Sequence, residues 1–469
     1  MKQILRFLGI AAFVSVGALT FSCTKLNDET EGYLPLQDDN IVTLTASVSI
    51  GVSSRALSEA GVKTFAAGDR IAVVYINTGD ETKKAVSDAL EAGDIGPDGK
   101  HAVFSVSMTS PKPGSAVKYI YPATMANDDG TVNYDALSAQ DGSLATLAST
   151  LDCCTFDGTL TDEAELPISA GLTNQFAIAK FSVKNDDDSD ITGSIRAFLV
   201  SDGTNTYRVN PAGLDAIWVA MRPVTDATIF FSAASETDLY SKTVPGKSLA
   251  SNSIYPINLK MVKSVPVVGH FLNRDGSITS TKQTEGTDES YAVIAYVGAV
   301  GHYFDRFVAL ALENVHNGGM SMASALTYTN TYAGNHPVMI GGSIYDTNAV
   351  STTYLDFVSR SADTPSNTYT GEVIKGWRLP TVTDWRYLFM GLCDGPSASD
   401  PVGVADWGGY GNGRAFITAI NNACGNTAML ETAYYSSSQG GYMWSYRFDR
   451  NMFFDYPDNG FLARAVFAY

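Results

Sequence analysis

The chain has 469 residues and a formal net charge of −18 at pH 7, from 49 acidic against 31 basic residues. That imbalance disfavours nucleic acid, whose phosphates reward Lys and Arg, and it disfavours electrostatic attachment to anionic lipid. The length accommodates about three domains, and the cysteines match no zinc spacing, since Cys153 and Cys154 are adjacent while Cys393 and Cys424 stand far apart.

Lys2 and Arg6 precede an uncharged apolar stretch over residues 7–21, closed by Ser22-Cys23. This is the pattern of a secretory signal peptide over residues 1–22, and it falls short of the roughly 20 residues needed to cross a bilayer. Leu19-Thr20-Phe21-Ser22-Cys23 resembles a lipobox, with Thr20 where the strict motif has Leu. The resemblance implies acylation of Cys23 and anchoring by lipid chains without a spanning element; an ordinary cleavage site beside an incidental cysteine is the alternative. Residues 23–40 form a polar tether carrying Asp28, Glu29, Glu31, Asp38 and Asp39. Its acidity fits a solvated linker, and it is also similar to the surface-export signal of Bacteroidales lipoproteins.

From Ile41 the sequence alternates, with Val42, Leu44, Ala46, Val48 and Ile50 set against Thr43, Thr45, Ser47 and Ser49. Period two over such a run predicts a half-buried strand. A polar loop follows whose basic residue is Arg55, and Gly68-Asp69 then turns the chain into a strand ending near Tyr75. Further short strands are predicted at 102–108, 116–121, 177–183, 194–200, 217–220, 228–232 and 254–261. Turn-separated strands almost without helical periodicity predict a mainly β chain built of β-sandwiches. Leu166-Pro167-Ile168-Ser169 is the expected seam between a first sandwich over 41–165 and a second over 166–263.

Near Lys263 the character changes. Strands at 291–297 and 307–312 are continuously apolar, as strands buried on both faces are. Two helices are predicted after them. Thr381 and Asp384 resemble a capping box, with Trp385, Leu388, Phe389 and Leu392 recurring on one face. The second, over 414–424, carries Phe416, Ile417, Ile420 and Cys424 on one face and stops at Gly425. Cys393 and Cys424 end the two helices; they either form a disulfide, worth about 3–4 kcal/mol in the chain-entropy model, or remain two buried thiols.

Phe65-Ala-Ala-Gly-Asp-Arg-Ile-Ala-Val73, Tyr119-Ile-Tyr-Pro122, Leu166-Pro-Ile168, Phe176-Ala-Ile-Ala-Lys-Phe181 and Ser253-Ile-Tyr-Pro-Ile-Asn-Leu259, in that order, resemble landmarks of the fimbrillin-like proteins of the Bacteroidales. The resemblance implies two transthyretin-like β-sandwiches. It also implies assembly by donor-strand exchange, in which a trypsin-like protease cuts after a basic residue, the first strand leaves, and a strand of another pilin subunit fills the groove. Arg55 is the cleavage candidate; a solvated loop arginine is the alternative.

Gly376-Trp-Arg-Leu-Pro-Thr381 with Asp384-Trp385, Tyr434-Tyr-Ser-Ser-Ser438, Tyr442-Met-Trp444 and Arg464-Ala-Val466 resembles C-type-lectin-like domains. That implies an α+β adhesin domain over 264–469. Such a domain on a fimbrillin body is the arrangement of a pilus tip subunit, and the apparent closing strand at 463–467 leaves no donor segment behind it.

His101, His270, His302, His316 and His336 show no metal-binding spacing, and neither a nucleophile elbow nor a phosphate-cradling loop is present. No catalytic residue, metal or cofactor is assigned, and the chain is read as a non-enzyme. An oxidase of the formylglycine-generating type, which shares the lectin-like fold, would need a reactive cysteine pair and is the remote alternative. Asn185-Asp-Asp-Asp-Ser-Asp190 offers oxygens for Ca²⁺ but lacks the glycine of a calcium loop, and is read as a solvated turn. Calcium-dependent sugar motifs are absent, Tyr456-Pro-Asp-Asn459 being the nearest approach. Aromatic rings beside carboxylates and amides suit sugars or peptides. This selects Trp407, Tyr442, Trp444, Asp455, Tyr456, Asp458 and Asn459 as ligand candidates, although Tyr442 and Trp444 alternate along a strand in a way that also fits a core.

Together these readings describe a surface-exposed outer-membrane lipoprotein, carried to the pilus tip after processing. Its expected partners are other pilin subunits, a surface glycan or protein, and outer-membrane lipid through the acyl anchor. The alternative is a non-polymerising surface lipoprotein that binds glycans.

Overall fold

The computed structural model describes residues 41–50, 64–161, 165–286, 288–298, 306–316, 318, 322–347 and 349, and beyond these 374–380, 384, 387–388, 391–392, 418, 421–424, 433–436, 444–447, 452–455 and 462–469. The architecture is mainly β. Eight strands come first: β1 (Ile41–Ile50), β2 (Ala72–Ile76), β3 (Thr82–Val86), β4 (His101–Thr109), β5 (Ala116–Tyr121), β6 (Ala139–Gln140), β7 (Cys154–Thr159) and β8 (Ser169–Asn174). All but β6 share one sheet, in the order β3-β2-β5-β7-β8-β1-β4. Period-two patterning does what it predicts. In β4, Ala102, Phe104, Val106 and Met108 are buried while their neighbours are exposed or half-buried, because successive side chains leave a strand on opposite faces. These residues join Val48, Phe65, Tyr75 and Tyr119 in one core, where Phe65 meets Phe104 and Tyr121 edge-on at centroid distances of 5.5 and 5.2 Å.

The next strands are β9 (Ala177–Lys184), β10 (Ala197–Ser201), β11 (Thr206–Val209), β12 (Ile217–Met221), β13 (Val224–Ala234), β14 (Leu239–Leu249), β15 (Ser253–Lys260) and β16 (Val262–Lys263). They make a three-stranded sheet, β12-β9-β15, and a six-stranded sheet, β16-β14-β13-β10-β11-β6. Phe181 of the first packs edge-on against Phe198 and Phe231 of the second, at 5.2 and 5.6 Å. The expected seam at 165/166 has strands of both sheet systems on either side of it: β6 lies before it yet pairs with β11, and β8 lies after it yet pairs with β7 and β1. Met125, Leu137, Leu147 and Leu151 likewise belong to the core of the second sandwich. Sequence patterning missed β14, because Pro245-Gly246 reads as a turn; the strand passes through it with an irregular register against β13.

The C-terminal part contains β17 (Phe271–Asn273), β18 (Ile278–Thr279), β19 (Ser290–Val297), β20 (Phe307–Ala311), β21 (Val338–Ile340), β22 (Ser343–Tyr345), β23 (Gly376–Arg378), β24 (Ala433–Ser436), β25 (Trp444–Arg447), β26 (Met452–Asp455) and β27 (Val466–Ala468). Its main sheet runs β18-β17-β19-β20-β27-β23, with β21-β22 and β24-β25-β26 as smaller sheets. Asp384, Tyr387, Leu388, Gly391, Leu392 and residues 421–424 are helical, in line with the two predicted helices. A further helix, Met322–Asn335, was not anticipated, since its Thr, Asn and Tyr residues have weak helix propensity and give no clear apolar face.

This part covers the outer face of the six-stranded sheet. Met339 clusters with Leu199 and Phe230, the Gly342 amide donates to Ser232 Oγ at 3.1 Å, and Arg306 donates to the carbonyls of Thr237 and Glu236 at 2.7 and 3.2 Å. A Cβ on Gly342 would lie 2.6 Å from the Ala197 backbone, so the close approach requires glycine. The C-terminal half of strand β13 is therefore buried on both faces, Phe231 inward and Phe230 outward, which explains the consecutive apolar residues Ile229, Phe230 and Phe231.

Candidate strand-addition site

Strand β1 lies between β8 and β4 in the seven-stranded sheet. Its alternating sequence sends Ala46, Val48 and Ile50 into the core, at 0%, 0% and 6% exposure, while Thr43, Thr45 and Ser47 face solvent and Ile41 is 66% exposed. It pairs antiparallel with β4 from Ile41↔Thr109 to Ser49↔His101. On its other side it pairs parallel with β8 only at Val48↔Ser169 and Ile50↔Leu172, with a register break between them. Among the described residues β1 is the sole sheet neighbour of β4. Losing it would strip β4 of its ladder and uncover Phe104, Val106 and Met108.

Unpaired backbone groups along an apolar groove are a strong template for an incoming strand. Burying Val48 and Ile50 contributes about 1.5–3 kcal/mol each, so a replacement strand needs apolar residues at the same alternate positions. Arg55 falls in residues 51–63, directly behind β1 and outside the described residues, as do the signal stretch, Cys23 and the tether. No helix among the described residues is long and apolar enough to cross a membrane.

In the C-terminal part the most recognisable motifs build core. Trp377 is fully buried and its Nε1 donates to the His336 carbonyl at 2.8 Å. Arg378, 1% exposed, donates to Asp384 Oδ1 at 2.7 Å. Buried Arg464 donates through Nε to the Ala311 carbonyl at 2.8 Å and through a terminal nitrogen to that of Leu312. Of the ligand candidates, Trp444 and Asp455 occupy directly opposed register positions on β25 and β26. Trp407, Tyr442, Tyr456, Asp458 and Asn459 lie outside the described residues.

Cys424 is a buried free thiol, and its expected disulfide partner Cys393 lies outside the described residues. Burial pushes the Cys424 thiol upward in pKa, opposite to what a thiolate nucleophile requires. The acidic run at 185–190 is a turn whose carboxylates serve the chain itself: Asp187 and Asp190 accept the amides of Ser189 and Thr192 at 2.9 Å, and Asp188 faces Lys260 at 3.2 Å.

One polar cleft escaped the sequence reading. Lys282, Gln283, Glu289, Glu313 and His336 border a cavity of about 190 Å³. Glu313 lies 3.2 Å from His336 Nε2, and that hydrogen bond holds its carboxyl below the ordinary carboxylate range. These residues come from distant segments, and no local motif announces them.

No family model matches the chain, and no curated protein matches it. Solved structures do. A candidate cell adhesion protein from Bacteroides fragilis is similar at 12% identity, over 49% of this chain and 95% of that one, with a TM-score of 0.30. A fimbrial assembly protein from Parabacteroides distasonis is similar at 10% identity, over 47% and 90%, with a TM-score of 0.27. A streptococcal ancillary pilin is similar at 11% identity, over 54% and 76%, with a TM-score of 0.19.

Proposed function

We propose that this protein is a cell-surface adhesion subunit of a pilus, joined to its neighbour by exchange of β1. The observation that carries the reading is the position of β1. It is interior to the sheet, it is the sole sheet neighbour of β4 among the described residues, and Arg55 follows it closely in the sequence. Cleavage after Arg55 leaves Ile41–Ile50 held by non-covalent contacts alone, the ladder to β4 along its length and the buried side chains of its C-terminal half. A donor strand from another subunit then completes the sandwich.

In this reading Cys23 carries the lipid anchor and acidic residues 24–40 form the tether. Residues 264–469 form a lectin-like domain that contacts a glycan or protein through the β25–β26 end that holds Trp444 and Asp455.

Immunogold electron microscopy with antibody against residues 264–469, combined with N-terminal sequencing of the filament-bound form, tests the reading. Label at filament ends on a chain beginning at Ala56 is expected. Label spread over the cell surface, on a chain still beginning at acylated Cys23, would replace it with a solitary surface lipoprotein.

A further inference from the structure

The two sheets of the second sandwich are not closed where β14 and β15 border them. A groove of about 550 Å³ opens there, walled by Phe181, Met221, Ile229, Phe231, Val244 and Ile257. Lys242, Lys247 and Lys260 also line it, Lys242 half-buried and Lys247 exposed. Lys260 faces Asp188 at 3.2 Å, whereas Lys242 and Lys247 form no ion pair among the described residues.

We propose that this groove binds a long-chain fatty acid, with the acyl chain between the sheets and the carboxylate at Lys242 and Lys247. The volume lies in the range of small-molecule sites, which are lined mainly by apolar groups with a few polar groups fixing orientation. In a chain with net charge −18, unpaired lysines over an apolar floor complement an amphiphile whose head is anionic. A neutral sugar would leave the apolar walls unmatched, and a cationic ligand would be repelled.

The backbone separates an acyl chain from a peptide. An added strand gains affinity from hydrogen bonds to a free sheet edge. Both edges are free here, since β15 ends its sheet and β16 covers only Tyr240 and Ser241 of β14. They carry Pro245 and Pro256, which have no N–H to offer and blunt strand addition. An acyl chain requires no backbone partner.

The test is a titration of the full chain bearing Cys23→Ala, so that its own acyl groups cannot occupy the groove, with myristate displacing a fluorescent fatty acid. Saturable binding of one myristate per chain is expected. Lys242→Glu with Lys247→Glu, at solvent-accessible positions, weakens myristate at least about tenfold and leaves uncharged tetradecanol much less affected. Ile257→Trp fills the groove and blocks both ligands, and thermal melting verifies that each variant is folded. Absence of saturable binding, or equal myristate affinity in the parent and the lysine double variant, overturns the proposal. Displacement of the probe by an extended acidic peptide but not by myristate overturns it too, assigning the groove to strand addition.

Discussion

Cys153 and Cys154 are adjacent in sequence and sit in different hydrophobic cores, Cys153 in that of the second sandwich and Cys154 in that of the first. Successive side chains of an extended segment point to opposite sides, so this dipeptide packs as a joint between two cores and not as a vicinal disulfide. Both side chains are buried, Cys154 Sγ donating to the Asp152 carbonyl at 3.9 Å, and replacing either by serine puts a more polar group into its core at a cost of about 1–3 kcal/mol. Hydrogen exchange is expected to report the loss separately, with Cys153→Ser loosening β9 and β12 and Cys154→Ser loosening β5 and β7. Equal loosening of both sets by either variant would show that the two cores open together.

Register makes β1 sensitive at every second residue. Val48 is fully buried and Thr45 exposed. Val48→Asp should cost at least about 3 kcal/mol through an unpaired buried charge, whereas Thr45→Asp should stay within about 0.5 kcal/mol. Urea unfolding of the two variants checks the register directly.

Arg378 and Asp384 form a buried charge pair in the C-terminal part, at 1% and 0% side-chain exposure. Removing one partner breaks this buried pair, a loss of about 3–5 kcal/mol. Asp384→Ala should therefore lower the melting temperature sharply. Joint replacement by apolar residues of similar volume should recover much of that loss, and a differential melting experiment on the three chains measures both.

Glu313 supplies a pH dependence of definite sign. His336 holds its carboxyl below the ordinary value of 4.5, so below that pH the unfolded state takes up the proton first. The stabilisation is present in full above pH 4.5 and fades as pH falls through the lowered value. Glu313→Gln should be less stable than the parent near neutrality and converge with it in acid. A stability gap that widened in acid would contradict the assignment.

How much was legible follows from what each segment buries. Strands β1 and β4 have one face in the core and one in solvent, and their alternation announced them. Strands β19 and β20 announced themselves as unbroken apolar runs. By contrast, β14 carries Pro245-Gly246 inside a strand, and the helix Met322–Asn335 is assembled from residues with weak helical preference and stabilised by tertiary packing. The aromatic and acidic residues chosen as ligand contacts were picked by composition. Trp444 and Asp455 prove to be register partners, while the Glu313–His336 cleft joins segments with no sequence signal in common. Trp377 and Arg378 were read as a motif and turn out to build the core beneath it.

The central claim is that β1 is exchangeable, and the most direct measurement is peptide uptake after a single cut. The chain is clipped after Arg55 with an arginine-specific protease, then incubated with an isotopically labelled peptide of residues 41–50 and followed by intact-mass spectrometry. Release of the original β1 fragment and uptake of one labelled peptide by the clipped chain, with none taken up by the uncut chain, is the predicted result. A clipped chain that keeps its own β1 and never admits the peptide would contradict strand exchange as the mode of assembly.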